Sequence, residues 1–335
     1  MVRYRDFIPE NAAPVGTKKI GVYDRNGKRL FGIMLDHLAL PPKRGAKQYS
    51  FGALADVHVQ YDTAQADFQK ALAYLNETED VEFNCICGDL TADGTDAELM
   101  QYKACVDSYS PDTPVYAVFG NHDTYQGLYN NTQKYTGQNL NYTFTRENDV
   151  FLMIGVIAGT YDTDTPSLFA QGTLQWLQAQ LEENRNKRCF LFQHILAAGS
   201  CGDAFHVYPY TKLSGNDAEV FESLLSHYTN AIWFHGHSHF KFYLQTGNDM
   251  ANIDKVFGAW SVHIPSLAVP RDVSGGAYSD IVAESEGYVV DVYESGIHLR
   301  GRDFVKGEFL PVASYWLDTT LQNVEAGSYT GPMPD

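Results

Sequence analysis

Short apolar runs alternate with amphipathic segments along most of the chain after residue 48. Residues 49–55 form a largely apolar run, which predicts a buried strand. The next segment predicts a helix over residues 63–75, because its apolar residues recur at helical spacing: Phe68, Ala71, Leu72 and Leu75. The same order of strand and helix then repeats, so the pattern predicts an α/β domain.

Polar side chains that can bind metals follow most of these apolar runs. Further strands are predicted over residues 81–87, 115–119, 150–157, 189–193 and 231–234, and further helices over 97–108, 173–185 and 218–226. The ligand-type residues after the strands are Asp56 and His58, Asp89, Asn121 with His122 and Asp123, His194, and His237 with His239. Open α/β sheets gather the carboxyl ends of their strands at one edge, so we expect these side chains to converge.

Residues 1–47 differ from the rest because prolines interrupt short alternating runs there. The pair Asn26-Gly27 separates two apolar runs, at residues 19–23 and 30–34, and this arrangement predicts a β-hairpin. We therefore expect a small N-terminal β-hairpin appendage over residues 1–47, a main α/β domain over 48–300 and a C-terminal extension over 301–335.

Composition and charge narrow the classes of partner. The 335 residues are 44% hydrophobic and 13% aromatic, which is ample for a folded core. The formal net charge is −17, and such a field repels polyanions. We therefore expect neither extended nucleic acid nor an anionic membrane surface as a partner. A small phosphoester remains compatible, because bound cations would reverse the potential locally.

The cysteines and the N-terminal segment favour a cytoplasmic protein. The five cysteines are an odd number in a long chain, and Cys85 and Cys87 lie in a predicted buried strand, which indicates reduced thiols. Residues 1–14 lack the apolar segment of a signal peptide, and no stretch approaches the ~18 apolar residues of a membrane span. We therefore expect a soluble, cytoplasmic protein.

Taken singly, several of the strand-end residues have an ordinary explanation. Gly88-Asp89 is a common turn pair, a lone histidine such as His194 more often packs in a core, and residues 120–123 could form a hydrophilic turn. His237 and His239 are the strongest pair, because i, i+2 spacing in an extended segment points both imidazoles to one side. The conjunction of all these signals at strand ends favours a metal site.

The donor set indicates the kind of metal centre. Carboxylate, carboxamide and imidazole groups without a thiolate suit two divalent or trivalent ions rather than a closed structural zinc. Mn, Fe and Zn all accept these ligands. Two such ions activate water and neutralise phosphate oxygens, so a two-metal hydrolase of phosphate esters is the first hypothesis.

The chain resembles the calcineurin-like metallophosphoesterase superfamily over residues 49–300, through five ordered motifs: Asp56-x-His58, Gly88-Asp89, Gly120-Asn121-His122-Asp123, His194 and Gly236-His237-x-His239. Residues 88–94, with 114–116 and the motif at 120–123, resemble the branch that contains bacterial class III cyclic-nucleotide phosphodiesterases. The resemblance implies a four-layer αββα sandwich with two mixed β-sheets, the metallo-dependent phosphatase fold.

The resemblance also implies a role for each matching residue. It implies two metal ions bridged by Asp89, one held by Asp56, His58 and His239 and the other by Asn121, His194 and His237. Purple acid phosphatases carry a tyrosine ligand three residues after the bridging aspartate. This chain has Ala92 there, so an Fe(III)-tyrosinate centre is disfavoured.

In the implied reaction a hydroxide shared by the two ions attacks phosphorus. His122 is not a ligand; together with Asn121 it would contact the substrate, and it would assist the leaving group. Asp123 is a candidate to orient the His122 ring. Arg271, in the loop at 265–278, is a candidate to bind a second phosphate or carboxylate of the substrate.

The sequence therefore predicts a dinuclear-metal phosphoesterase that hydrolyses small phosphodiesters, with cyclic nucleotides among the candidate substrates. One alternative is a structural or assembly component with a phosphoesterase fold, and homo-oligomers could form through the N- and C-terminal extensions. Another is a metal-dependent nuclease, although the net charge makes duplex binding difficult.

Overall fold

The structure, a computed structural model, describes residues 19–23, 29–34, 45–61, 63–125, 129–158, 167–203, 211–242, 252–274, 277–280, 283–319 and 331. The strands are β1 (Lys19–Tyr23), β2 (Arg29–Met34), β3 (Lys47–Leu54), β4 (Phe83–Cys87), β5 (Val115–Val118), β6 (Asn141–Arg146), β7 (Asp149–Ile154), β8 (Cys189–Gln193), β9 (Ala231–His235), β10 (Ile253–Val256), β11 (Ala259–His263), β12 (Arg271–Ser274), β13 (Ala277–Asp280), β14 (Glu286–Tyr293), β15 (Gly296–Asp303) and β16 (Glu308–Asp318).

The described helices are short and amphipathic. They are α1 (Ala64–Ala73), α2 (Asp96–Tyr109), α3 (Tyr129–Thr136), α4 (Thr173–Glu183) and α5 (Gly215–His227). A capping box starts α2, where the Thr95 hydroxyl accepts from the Glu98 amide and Glu98 accepts from the Thr95 amide. Among the described helices we find none with the length and apolar character that a membrane crossing requires.

Two six-stranded mixed sheets form the centre of the fold. Sheet I has the order β10-β11-β9-β8-β7-β6, and sheet II has the order β16-β15-β14-β3-β4-β5. Strands β11, β9, β8 and β7 are parallel neighbours in sheet I, as are β3, β4 and β5 in sheet II. The parallel strands are buried along most of their length, as the continuous apolar runs predict.

Three hydrophobic clusters show that the fold has four layers. One cluster lies between the two sheets, where the Phe51 ring meets the rings of Phe151 and Phe190 edge-on at 5.4 Å. A second cluster joins sheet I to α4 and α5, and a third joins sheet II to α1 and α2. The αββα sandwich predicted from the sequence is therefore confirmed.

At the two ends of the chain, the structure agrees only partly with the predicted division into an appendage, a main domain and an extension. Strands β1 and β2 pair antiparallel, as the Asn26-Gly27 pair predicts, although the turn at 24–28 lies outside the described residues. The predicted C-terminal extension is wrong for residues 301–318, because they complete β15 and form β16 at the edge of sheet II. Ala313 and Leu317 of β16 are fully buried in the cluster between the sheets, so this strand belongs to the core.

A buried polar cluster joins the two sheets at the amino ends of β3, β7 and β8. The Arg188 guanidinium donates to Asp149 Oδ1 at 3.0 Å, to the Tyr293 carbonyl at 2.9 Å and to Thr319 Oγ1 at 3.0 Å. The Tyr49 hydroxyl donates to Asp149 Oδ2 at 2.5 Å. This cluster lies at the opposite end of these strands from the predicted metal ligands.

We expect Asp149→Ala to lower the free energy of unfolding by about 3–5 kcal/mol, because it leaves the buried Arg188 guanidinium without its counter-charge. Tyr49→Phe removes one hydrogen bond to the same carboxylate and should lower it by about 1 kcal/mol. Urea unfolding followed by circular dichroism measures both. Equal losses for the two variants would show that the ion pair does not carry this stabilisation.

Candidate metal centre

The strand-end residues meet at one edge of the sandwich, in tight left-handed turns. Asp56, His58, Asp89, His237 and His239 all have positive φ angles, between 39° and 72°. Such a conformation costs a non-glycine residue about 1–3 kcal/mol and persists only where the surroundings enforce it. These turns aim side chains from both sheets into the same space.

Glycines beside the turns allow the carboxylates to approach the backbone. A Cβ atom at position 120 would lie 2.1 Å from Asp89 Oδ1, and one at position 236 would lie 2.4 Å from Asp56 Oδ2. Both distances are far shorter than any tolerated contact. Gly120 and Gly236 are therefore required by the packing of the two aspartates.

A first group of donor atoms comes from Asp56, His58, Asp89 and His239, and all four residues are buried. Their donor atoms lie within 4.8 Å of one another. Asp56 Oδ1 is 3.0 Å from His239 Nε2, and His58 Nε2 is 3.1 Å from His239 Nε2 and 3.6 Å from Asp89 Oδ2. The group combines two carboxylates with two imidazoles.

A second group shares Asp89 with the first. Donor atoms of Asp89, His194 and His237 again lie within 4.8 Å of one another, and Asp89 Oδ2 is 3.0 Å from His194 Nε2. The structure thus brings together six of the seven residues for which the sequence predicts metal binding, and Asp89 belongs to both groups. The predicted ligand role of Asn121 stays a prediction.

Unsatisfied buried atoms test whether this arrangement fits a metal. Asn121 Oδ1 is buried and makes no hydrogen bond, and the buried Asp89 Oδ2 has only His194 Nε2, at 3.0 Å, as a close partner. Buried polar atoms without partners are destabilising, and lone pairs that point into a shared space are stabilised by a cation. The donor set therefore fits metal ions.

Backbone carbonyls set the tautomers of two of the histidines. His58 Nδ1 lies 3.0 Å from the Thr91 carbonyl, and His194 Nδ1 lies 2.6 Å from the Cys87 carbonyl. A carbonyl only accepts, so each Nδ1 carries the proton and each Nε2 presents a lone pair to the centre when the ring is neutral. This is the orientation that a metal-binding histidine needs.

Burial and charge act in opposite directions on the site's pKa values. Burial lowers the pKa of His58 and of His237 to about 3, so both imidazoles are neutral near pH 7. For His194 burial also opposes the charge, but Asp89 and Asp56 raise its pKa to about 9. Burial raises the pKa of Asp56, whereas for Asp89 the nearby histidines outweigh burial and hold the pKa well below its usual value.

His122 lies at the open side of the cluster. Its Nδ1 is 2.6 Å from the Ala92 carbonyl, and its Nε2 is 4.0 Å from Asp89 Oδ2. About 23% of its side chain is exposed, whereas the side chains of His58 and His194 are fully buried. His122 is therefore placed to contact a molecule that enters from solvent.

The prediction that Asp123 orients the His122 ring is wrong. Asp123 Oδ1 accepts from the Thr91 amide and hydroxyl, and Oδ2 accepts from the amides of Leu90 and Gly120. The carboxylate thus accepts its hydrogen bonds from the two loops that carry Asp89 and Asn121. The Ala92 carbonyl, and not Asp123, bonds to His122 Nδ1. Asp123 supports the loops instead.

Two tyrosines at the site were not found by sequence reasoning. The Tyr125 hydroxyl accepts from Asn121 Nδ2 at 3.0 Å and lies 3.2 Å from His122 Nε2, so it fixes the orientation of the Asn121 carboxamide. The Tyr61 ring stacks on His58 at 4.6 Å. Both tyrosines lie within four residues of a motif, which was the available signal.

Arg271 lies beside the cluster and not within it. Its amide donates to the His239 carbonyl at 2.8 Å, and its Nε donates to Asp280 Oδ1 at 2.9 Å. The residue therefore flanks the first group of donors, while its predicted contact with substrate stays a prediction.

Comparisons with known proteins agree with this geometry. The family model described as calcineurin-like phosphoesterase matches residues 49–241. The purple acid phosphatase PPD1 of yellow lupin (Lupinus luteus) has a similar structure, with a TM-score of 0.57 and 13% identity, over 93% of this chain and 62% of that chain. This chain thus spans less than two thirds of the lupin phosphatase. The search of curated proteins found no match.

A second similar structure comes from Plasmodium. It is GAP50, described as the anchor in the inner membrane complex, with a TM-score of 0.56 and 17% identity over 86% of this chain and 100% of that chain. At 13% and 17% sequence identity, both structural matches show a shared fold and nothing about activity.

We expect Gly120→Ala to weaken Mn²⁺ binding by at least about tenfold, because the added methyl group would displace Asp89. Isothermal titration calorimetry measures this. Gly137→Ala is the matched control, since its Cβ would meet no atom within 4 Å and its left-handed φ of 72° adds only about 1–2 kcal/mol of strain. Unchanged affinity in Gly120→Ala would refute the role assigned to this close packing.

Proposed function

Because the chain belongs to the calcineurin-like phosphoesterase family, we propose that it is a metal-dependent hydrolase of small phosphodiesters. The observation that carries the proposal is the pair of buried donor groups that share Asp89. Asp56, His58 and His239 would hold one ion, Asn121, His194 and His237 would hold the other, and Asp89 would contribute to both sites. Carboxylate, carboxamide and imidazole ligands accept Mn, Fe or Zn.

When bound, the two ions supply a water of lowered pKa and neutralise the charge on a phosphate. The residues of the chain orient that chemistry. The carbonyls of Thr91 and Cys87 hold the rings of His58 and His194, and Tyr125 holds the carboxamide of Asn121. The burial of Asp56 and Asp89 excludes bulk water from the donor atoms.

His122 is proposed to act on the leaving group. The Ala92 carbonyl holds the proton on Nδ1, so Nε2 faces the open side of the centre. In its imidazolium form, His122 would donate the Nε2 proton to the departing alkoxide oxygen. The two hydrogen-bonding contacts of the Tyr125 hydroxyl, to Asn121 and to His122, keep Nε2 at the edge of the cluster.

Charge supports diesters over monoesters. A phosphate monoester approaches a double negative charge near neutral pH, because its second pKa is about 6, whereas a diester carries a single charge. At long range the net charge of −17 slows the approach of the dianion more than that of the monoanion, while at the centre bound cations would reverse the potential. Residues 88–94 resemble the branch with cyclic-nucleotide phosphodiesterases, so cyclic nucleotides are the first natural diesters to test.

A structural role is the second candidate, because GAP50 of Plasmodium, an anchor, has a similar fold. Retained buried donors argue against a purely structural role, since a fold without metal would leave the buried Asn121 Oδ1 unsatisfied. Large assemblies by size-exclusion chromatography, without bound metal or turnover, would favour this second candidate.

We expect His122→Ala to lower kcat for bis-p-nitrophenyl phosphate by about 10²- to 10⁴-fold with Mn²⁺ supplied, while the metal content stays at the wild-type value. The reason is that His122 contacts the reacting group but lies outside both donor groups. Steady-state kinetics and elemental analysis of the same preparation give the two readings.

His194→Ala is the reference variant, because it removes a donor and should lose both metal and activity. Loss of metal in His122→Ala would show that His122 is a ligand. Faster wild-type turnover of p-nitrophenyl phosphate than of the diester would contradict the proposed preference.

A further inference from the structure

A pocket of about 430 Å³ opens beside the proposed metal centre. We call it the side pocket; its lining includes Tyr61, Thr63, Ala268, Val269, Arg271 and Asp280. A volume of this size lies within the usual range for small-molecule sites. It combines an aromatic ring, apolar side chains and a pair of opposite charges.

One wall of the side pocket is built directly on a proposed ligand. The Tyr61 ring stacks on the His58 ring, with 4.6 Å between centroids and 13° between planes. The Tyr61 amide also donates to the His58 carbonyl at 2.8 Å. The wall and the centre are therefore contiguous. A group that contacts Tyr61 is separated from the proposed ligand His58 only by the Tyr61 ring.

The opposite wall is tied to the same ion's ligands. The Ala268 amide donates to the Asp56 carbonyl at 3.1 Å, and the Arg271 amide donates to the His239 carbonyl at 2.8 Å. A phosphodiester has two ester substituents. If the phosphorus lies at the metal centre, the leaving substituent would lie beside His122. The side pocket is then next to the position of the substituent that stays on phosphorus.

The two charged side chains of the side pocket differ in solvent exposure. Arg271 Nε donates to Asp280 Oδ1 at 2.9 Å, with 14% of the Arg271 side chain and 47% of the Asp280 side chain exposed. Of the described lining residues, Arg271 alone is cationic. The guanidinium thus lies inside the pocket, while its carboxylate partner lies toward the rim.

Tyr61 adds a hydroxyl donor near this cation. The Tyr61 phenol and the Arg271 guanidinium line the same pocket. A guanidinium and a phenol together suit an anionic oxygen group.

We infer that the side pocket binds the second ester substituent of the diester and that Arg271 makes it prefer substituents with an anionic group, a carboxylate or a phosphate. Asp280 competes with that group for the guanidinium and so weakens the preference. The inference rests on the proposed phosphodiesterase function. According to this inference, Arg271 increases the preference for an anionic substituent and Asp280, its ion-pair partner, decreases it.

The test compares two diesters with the same p-nitrophenolate leaving group, phenyl p-nitrophenyl phosphate and 3-carboxyphenyl p-nitrophenyl phosphate. The measured quantity is the ratio of kcat/KM for the carboxylated diester to that for the neutral one. We expect Arg271→Gln to lower this ratio about tenfold, the size of a charge-assisted hydrogen bond, and Asp280→Asn to raise it about threefold. Both changes should appear in KM.

Each outcome separates the inference from the function on which it rests. Turnover of the neutral diester with an unchanged ratio in both variants would overturn the side-pocket inference and leave the phosphodiesterase function standing. A fall of the ratio in both variants would show that the pair maintains the pocket's shape and does not read charge. If the metal-loaded wild type hydrolyses neither diester, the phosphodiesterase function fails and the inference fails with it.

Discussion

The burial of two carboxylates at one edge of the sandwich is the constraint on which the site depends. Asp56 and Asp89 are fully buried, and their donor atoms lie among four imidazoles. Carboxylates in such a place need compensating positive charge or protonation. The left-handed turns, the glycines that admit the carboxylate oxygens and the carbonyl-held histidine rings all serve this arrangement, and each would be unfavourable without it.

The sandwich provides the rigidity that the strained turns require. The parallel strands of both sheets run toward the same edge, and the rings of Phe51, Phe151 and Phe190 lock the sheets together between the layers. At the far end, the ion pair of Asp149 and Arg188 bridges both sheets. The well-packed interior and the polar cluster can offset the about 1–3 kcal/mol per residue held in the turns.

The residues of the site differ in solvent exposure according to their proposed roles. The metal-binding candidates are buried, whereas His122 and Tyr61 are partly exposed at its open side. Arg271 lies beyond them, attached through its backbone to His239. The chemistry proposed for the centre therefore depends on residues shielded from solvent, and the proposed choice of substrate depends on residues that reach solvent. This arrangement allows selectivity to change without disturbance of the donor groups.

The sequence by itself determined strands β3, β4, β5, β7, β8 and β9, helices α1, α2, α4 and α5, the pairing of β1 with β2 and the strand-end motifs, because apolar periodicity and turn residues act over a few neighbouring positions. It did not predict β6, α3 or the strands from β10 onward. Only the tertiary structure decided the rest. Asp123 bonds to the loop of Leu90 and Thr91, about thirty positions away, and no local pattern encodes that choice. The same holds for β16, which joins the core through pairing with β15, and for the side pocket, whose walls come from segments some two hundred residues apart. Contacts between distant segments depend on how the layers pack, and local sequence patterns do not specify that packing.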